Sequence, residues 1–327
     1  MSKPSNSSEA STPKRTQRPE PTQCGDLHIA KDDVTIHWER FGRGDRETVV
    51  LLNGIGMLTQ SWYTSVPQIH PDFDVLLYDY PGQGASSSED KPYYIHRLAD
   101  YLAAVLDELG IEKIHCVGVS YGGFVGAEFG RRYPERLHTQ TLSGILLSRE
   151  KLFDMYQEIS LQFYAGGPEL FDLYTRYMYE KTFGEQFVRQ LGDKIDKLRG
   201  RFFDNYKDRT RSLARLTEAQ NLFFANIDSS QQGYRAVKAP TLILAGEEDR
   251  VVPVWMQAKL LELYDNSRMW VVPECAHITY LERPEVFWPL LRKLMTDKDL
   301  AHDAQGAVEL RAATRTAETM AADAAQA

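Results

Sequence analysis

Ser120 sits in the stretch Gly118-Val119-Ser120-Tyr121-Gly122-Gly123, where an apolar run stops and a helix-like segment begins. A serine hydroxyl is a weak nucleophile until a base takes its proton. Glycines on both sides permit a turn tight enough to push that hydroxyl clear of its strand, because a side chain at Gly118 or Gly122 would strike a neighbouring element. The plainer reading is a glycine-rich strand–helix turn that happens to hold a serine, so the rest of the chain has to supply the base.

Eight histidines are present, and His277 has the right place among them. It follows the last apolar run, "RMWVVP", and precedes "YLERPE", which reads as a helix start. A loop at the C-terminal end of a parallel strand lies on the same rim as the serine turn. The base needs a carboxylate to orient it and to stabilise its charged form. "LILAGEEDRVVP" offers three, of which Asp249 is the first choice, while spacing alone leaves Glu247 and Glu248 open. A tetrahedral intermediate also needs amide donors for its oxyanion. Tyr121 N–H, at the start of a helix, is one. Ile55 N–H, in the small-residue loop Asn53-Gly54-Ile55-Gly56 after "TVVLL", is the other.

These loops need a scaffold. Runs at Val34–Trp38, Thr48–Asn53, Phe73–Asp79, Lys113–Val119, Leu137–Leu147, Pro240–Gly246 and Ser267–Pro273 are mostly continuous apolar stretches. Strands buried on both faces of a parallel sheet look like this. Between them lies a helical pattern, His96–Gly110, with Leu98, Tyr101, Leu102, Val105, Leu106 and Leu109 on one face. Strands alternating with helices predict an α/β domain. Residues 150–232 break the rhythm. They hold no convincing strand, carry Phe171, Tyr174, Tyr177 and Met178 at helical spacing, and read as a helical insertion between two strands. Most of those side chains are expected in a core, and a lid over an apolar site would use a few of them.

The expected organisation is a tail over 1–25, an α/β core over 26–149 and 233–295, a helical cap over 150–232 and an Ala-rich mobile tail over 296–327. The first tail is rich in Ser, Pro and Thr and has no apolar core like that of a secretory signal. No apolar run approaches the ~20 residues that span a membrane, and a soluble, cytoplasmic protein is expected. A formal charge of −8 argues against a general nucleic-acid surface. Cys24, Cys116 and Cys275 are far apart and form neither a disulfide framework nor a zinc pattern. Cys275 lies two residues before His277, which raises a Cys–His alternative, but near neighbours in a loop rarely face one another.

"DYPGQGASS" at Asp79–Ser87, "GVSYGG", "LAGEEDRVVP" and "AHITYLERPE" together resemble the motifs of the α/β-hydrolase fold serine hydrolases, in the order nucleophile, acid, base. The resemblance covers about residues 26–295. It implies an eight-stranded, mostly parallel sheet with helices on both faces and a helical cap over the site. Relatives with an aspartate nucleophile, the haloalkane dehalogenases and epoxide hydrolases, are set aside by Ser120. Where many relatives carry His-Gly, this chain has Asn53-Gly54, and it is more loosely similar to the acyltransferases that join two 3-hydroxyacyl chains in rhamnolipid synthesis. The expected activity is hydrolysis of a small carboxylic ester or thioester through an acyl-Ser120 intermediate, with no metal or organic cofactor. The rivals are transfer of the acyl group to a 3-hydroxyacyl or other alcohol, and a low-turnover ligand receptor on the same fold.

Overall fold

The computed structural model describes residues 18–88 and 90–299, and the backbone alone of 308 and 309. Its strands are β1 (Gln23–Ile29), β2 (Val34–Phe41), β3 (Thr48–Leu52), β4 (Asp74–Tyr78), β5 (Ile114–Val119), β6 (Leu137–Ser143), β7 (Thr241–Gly246), β8 (Ser267–Val272) and the two-residue β9 (Val308–Glu309). The helices are α1 (Ile95–Glu108), α2 (Tyr121–Arg132), α3 (Lys151–Ala165), α4 (Gly167–Thr182), α5 (Glu185–Leu191), α6 (Lys194–Tyr206), α7 (Thr210–Ala225), α8 (Ile227–Tyr234), α9 (Val254–Ala258), α10 (Thr279–Glu282) and α11 (Pro284–Asp297).

One sheet runs in the order β1-β2-β4-β3-β5-β6-β7-β8, and β9 adds a short antiparallel edge beside β8. From β4 to β8 all neighbours are parallel. β1 and β2 pair antiparallel with each other and with β4. Every residue of β3, β4, β5 and β7 is buried, which is why those strands read as unbroken apolar runs. The two large clusters of core side chains lie on opposite faces of the sheet: Val50 and Leu52 of β3 belong to one, Val49 and Leu51 to the other.

The expected boundaries shift in three places. β1 starts at Gln23, inside the segment read as a tail; it is an edge strand whose side chains are exposed or half-buried, so it lacks the apolar run that marked the others. The helical insertion is six helices, from Lys151 to Tyr234. The last helix continues to Asp297. Residues 1–17 and nearly all of 300–327, read as tails, lie outside the described residues. Among the described residues no helix is long and apolar enough to cross a membrane.

The insertion has its own small core, built from Tyr164, Phe171, Tyr174, Tyr206 and Leu213. Phe171 and Tyr174 are therefore internal packing residues. Met178, one turn on from Tyr174, is among the side chains that line the cavity described next.

Candidate active site

The loops after β3, β5, β7 and β8 all leave the sheet at the C-terminal ends of parallel strands, so they share one rim. Ser120 sits between β5 and α2 with φ 54° and ψ −126°, a backbone conformation that L-residues rarely adopt. The turn is held from both sides: Ser120 N–H donates to Ser143 O at 2.8 Å, and Gly123 N–H to Ser120 O at 2.8 Å. A Cβ on Gly118 would lie 2.5 Å from Gly122 O, and one on Gly122 would lie 2.3 Å from Leu52 O. The two glycines are thus steric requirements of the turn that exposes Ser120.

His277 Nε2 lies 2.9 Å from Ser120 Oγ, and His277 Nδ1 lies 2.8 Å from Asp249 Oδ2. Both Asp249 and His277 are buried. Asp249 accepts a full set of bonds: Val251 N–H and Val252 N–H reach Oδ1 at 2.9 Å each, and Gln257 Nε2 reaches Oδ2 at 3.1 Å. Those donors fix its rotamer. Glu247 and Glu248 are exposed. Glu247 turns toward the Glu274 amide, 3.3 Å away. Of the three acids in the loop, Asp249 alone meets the imidazole.

Cys275 does not face His277. Its thiol is buried, with Ala276 O 3.7 Å from Sγ, and burial pushes its pKa far up. Cys116 is a core residue whose thiol burial raises to about 12. Among the described residues no three His, Cys, Asp or Glu side chains gather into a group that could hold a metal.

The Ile55 and Tyr121 amides have no acceptor among the described residues, and both residues line the cavity beside Ser120. Tyr121 N–H also lies at the positive end of the α2 dipole. The loop carrying Ile55 is pinned from below. Asn53 Nδ2 donates to Tyr78 O at 3.1 Å and to Asp79 Oδ1 at 3.2 Å, and Asn53 Oδ1 accepts from Trp62 Nε1 at 2.9 Å. Gly56 N–H donates to Gln83 Oε1. The Asp79–Ser87 loop therefore braces the Asn53–Gly56 loop, which explains why two motifs far from Ser120 belong to its neighbourhood.

Three residues that the sequence reading passed over complete the frame. Gln257, fully buried, donates to Asp249 and accepts from Gly144 N–H at 3.0 Å. Glu282 accepts Ala276 N–H at 3.0 Å, Ile278 N–H at 3.1 Å and Gly184 N–H at 2.9 Å. It thus clamps the residues on both sides of His277; burial raises its pKa. Arg250 Nη2 donates to Phe183 O at 3.0 Å. A Glu in "YLERPE" and an Arg after Asp249 are visible in the sequence, but nothing there marks them as ties to a segment 98 and 67 residues away.

Above the rim lies a cavity of about 1000 Å³. Its floor includes Ser120 and His277, and its walls include Phe153, Met178, Tyr179, Phe183 and Phe202 from the insertion. Phe202 of α6 approaches so closely that a Cβ on Gly56 would lie 2.3 Å from its ring. The arrangement sets a hydrogen-bonded hydroxyl, a buried imidazole and two free amides on the floor of a mostly apolar chamber.

The comparisons agree with this architecture. The alpha/beta hydrolase fold family model matches residues 47–284. The chain is 30% identical over 261 residues to the 2-hydroxy-6-oxononadienedioate/2-hydroxy-6-oxononatrienedioate hydrolase of Escherichia coli (strain K12), covering 78% of this chain and 88% of that protein. It is 26% identical over 258 residues to the putative carbamate hydrolase RutD of Pseudomonas syringae pv. syringae, covering 77% and 95%. Among solved structures, an alpha/beta hydrolase enzyme from a Medee basin deep-sea metagenome library superposes with a TM-score of 0.76 at 24% identity, covering 86% of this chain and all of that one. That likeness is one of fold. With a family match over most of its length and relatives that are named hydrolases, the chain belongs to the alpha/beta hydrolase fold family.

Proposed function

We propose that this protein is a serine hydrolase of carboxylic esters or thioesters. One observation carries the reading: the continuous hydrogen-bonded line Ser120–His277–Asp249 at the floor of an apolar cavity. His277 Nε2 takes the Ser120 proton as Oγ attacks the acyl carbonyl. The oxyanion that forms accepts from the Ile55 and Tyr121 amides. Asp249 holds the imidazole and stabilises its charged form. The imidazolium then gives its proton to the departing alkoxide or thiolate, and the acyl group stays on Ser120. A water molecule, deprotonated by His277, attacks the acyl-serine, and the tetrahedral species collapses to free acid and restored Ser120.

The test is hydrolysis of p-nitrophenyl esters from acetyl to palmitoyl by wild type and by Ser120→Ala. Turnover that disappears in the variant supports the reading, and turnover that survives overturns it. Two further measurements separate the rivals. A 3-hydroxyacyl thioester incubated with the enzyme yields free acid under hydrolysis and a dimeric ester under acyl transfer. Rapid, complete labelling of Ser120 by a fluorophosphonate is expected of an enzyme and not of a receptor.

A further inference from the structure

α3 and α7 meet the cavity through two aromatic side chains, Phe153 and Tyr156, and one amide. Gln220 of α7 lines the cavity, although only 7% of its surface is exposed. Its Oε1 accepts from Gln157 Nε2 of α3 at 3.1 Å. That bond turns the amide so that Gln220 Nε2 has no partner among the described residues. Gln157, itself 2% exposed, sits behind it with Oε1 buried and unpartnered.

A buried amide pair that makes one bond between its two side chains is an expensive way to hold two helices together. Two leucines would pack there without stranding polar atoms, and buried polar groups as a rule find partners. The surrounding side chains show what the alternative looks like. Phe153, one turn before Gln157, and Phe224, one turn after Gln220, pack on each other at 5.5 Å between ring centroids. Both rings also contact Phe124, one turn into α2 from Ser120, at 6.2 Å and 5.5 Å. The glutamine pair is therefore the layer next to an aromatic layer that begins beside the nucleophile. An acyl chain passing over Phe124 and Phe153 reaches the Gln220 amide, while Thr182, Arg201 and Asn205 line the cavity from α4 and α6.

We propose that Gln220, oriented by Gln157, recognises an oxygen substituent on the acyl chain, so that the preferred substrate is a hydroxy- or oxo-acyl ester or thioester and not a plain alkanoate. The inference rests on the reading of Ser120 as the nucleophile that attacks the acyl carbonyl. The free Nε2 donates to the substituent oxygen. A hydroxyl group also satisfies the amide in its flipped orientation, because it both donates and accepts.

The experiment compares p-nitrophenyl decanoate with its 3-, 5- and 7-hydroxy derivatives, using wild type, Gln220→Leu and Gln157→Leu, each checked by its melting curve. In wild type one hydroxy isomer is expected to exceed decanoate in kcat/KM by about tenfold, the worth of one well-placed hydrogen bond, chiefly through KM. In Gln220→Leu the ratio between the two falls to near one. In Gln157→Leu, which frees the amide without removing it, the ratio falls part of the way. Equal kcat/KM for all four esters in wild type, or a preference that survives in Gln220→Leu, overturns the proposal while Ser120-dependent turnover still stands. Absence of any Ser120-dependent turnover overturns the nucleophile reading instead. Calorimetric binding of decanoic acid and the three hydroxydecanoic acids to the same proteins then makes the same comparison, and equal affinities there overturn the recognition role.

Discussion

The backbone amide of His277 donates to the carbonyl of Thr182 at 3.0 Å. The loop that carries the imidazole is thereby fastened to the last turn of α4, in the helical insertion. Glu282 reinforces the tie by accepting from Gly184 on one side and from Ala276 and Ile278 on the other. The His277 loop and the cavity wall are thus parts of one hydrogen-bonded unit.

Glu282→Ala leaves three amides without an acceptor, two of them buried. Removing one partner from a buried bond exposes its full desolvation cost, so a loss on the order of 2–4 kcal/mol is expected. Urea unfolding measures it. Glu282→Gln keeps one acceptor oxygen and is expected to fall between wild type and alanine; equal stability of all three proteins would show that the clamp is dispensable.

Ser120→Ala and His277→Ala are each expected to lower kcat by on the order of 10⁶, because in the proposed mechanism nucleophile and base act as one unit. The double variant should be hardly worse than either single one. Steady-state kinetics on the best p-nitrophenyl ester decide this, and additive losses would mean that the two residues act separately.

Asp249→Asn should retain the fold, since Val251 and Val252 amides still find Oδ1. It is expected to lose on the order of 10⁴ in kcat through the wrong imidazole tautomer. Near-normal turnover would remove Asp249 from the mechanism.

A pH effect on stability is expected away from the site. His37 Nε2 lies 3.3 Å from Glu39 Oε1, and Nδ1 lies 2.8 Å from Asp26 Oδ1. The Glu39 bond first, with the Asp26 bond behind it, overcomes the cost of burial and lifts His37 from 6.5 to about 9. The folded chain therefore holds this proton more tightly than the unfolded one. The stabilisation is complete below 6.5 and is lost as pH rises through about 9. Urea midpoints of wild type and His37→Gln should differ on the acid side of that window and converge on the alkaline side. A constant gap would contradict the linkage.

Much of this is legible in the sequence, and the reasons differ by element. β3, β5 and β7 were legible because burial on both faces leaves an apolar run. Ser120 was legible because its turn admits only small flanking residues. The acid loop carried three carboxylates, and composition could not choose among them; the choice needed the third dimension, in which Glu247 and Glu248 are exposed and only Asp249 meets His277. β1 escaped because an edge strand with exposed and half-buried side chains has no run to see. Gln220 and Glu282 escaped for a different reason: a lone Gln or Glu in a helix looks like surface until its neighbours are known. Phe171 and Tyr174 had the spacing of a lid's underside, yet they fill the insertion's own core.

Ser120 precedes His277 by 157 residues, and the sheet is completed from β6 outward through β7 and β8. A chain leaving the ribosome thus displays its serine turn long before the imidazole exists. The acid arrives next, on the loop after β7, and the base last of all. A polypeptide released early by a broken message carries Ser120 without His277. Under the proposed mechanism, a chain that stops short of His277 is expected to show no turnover.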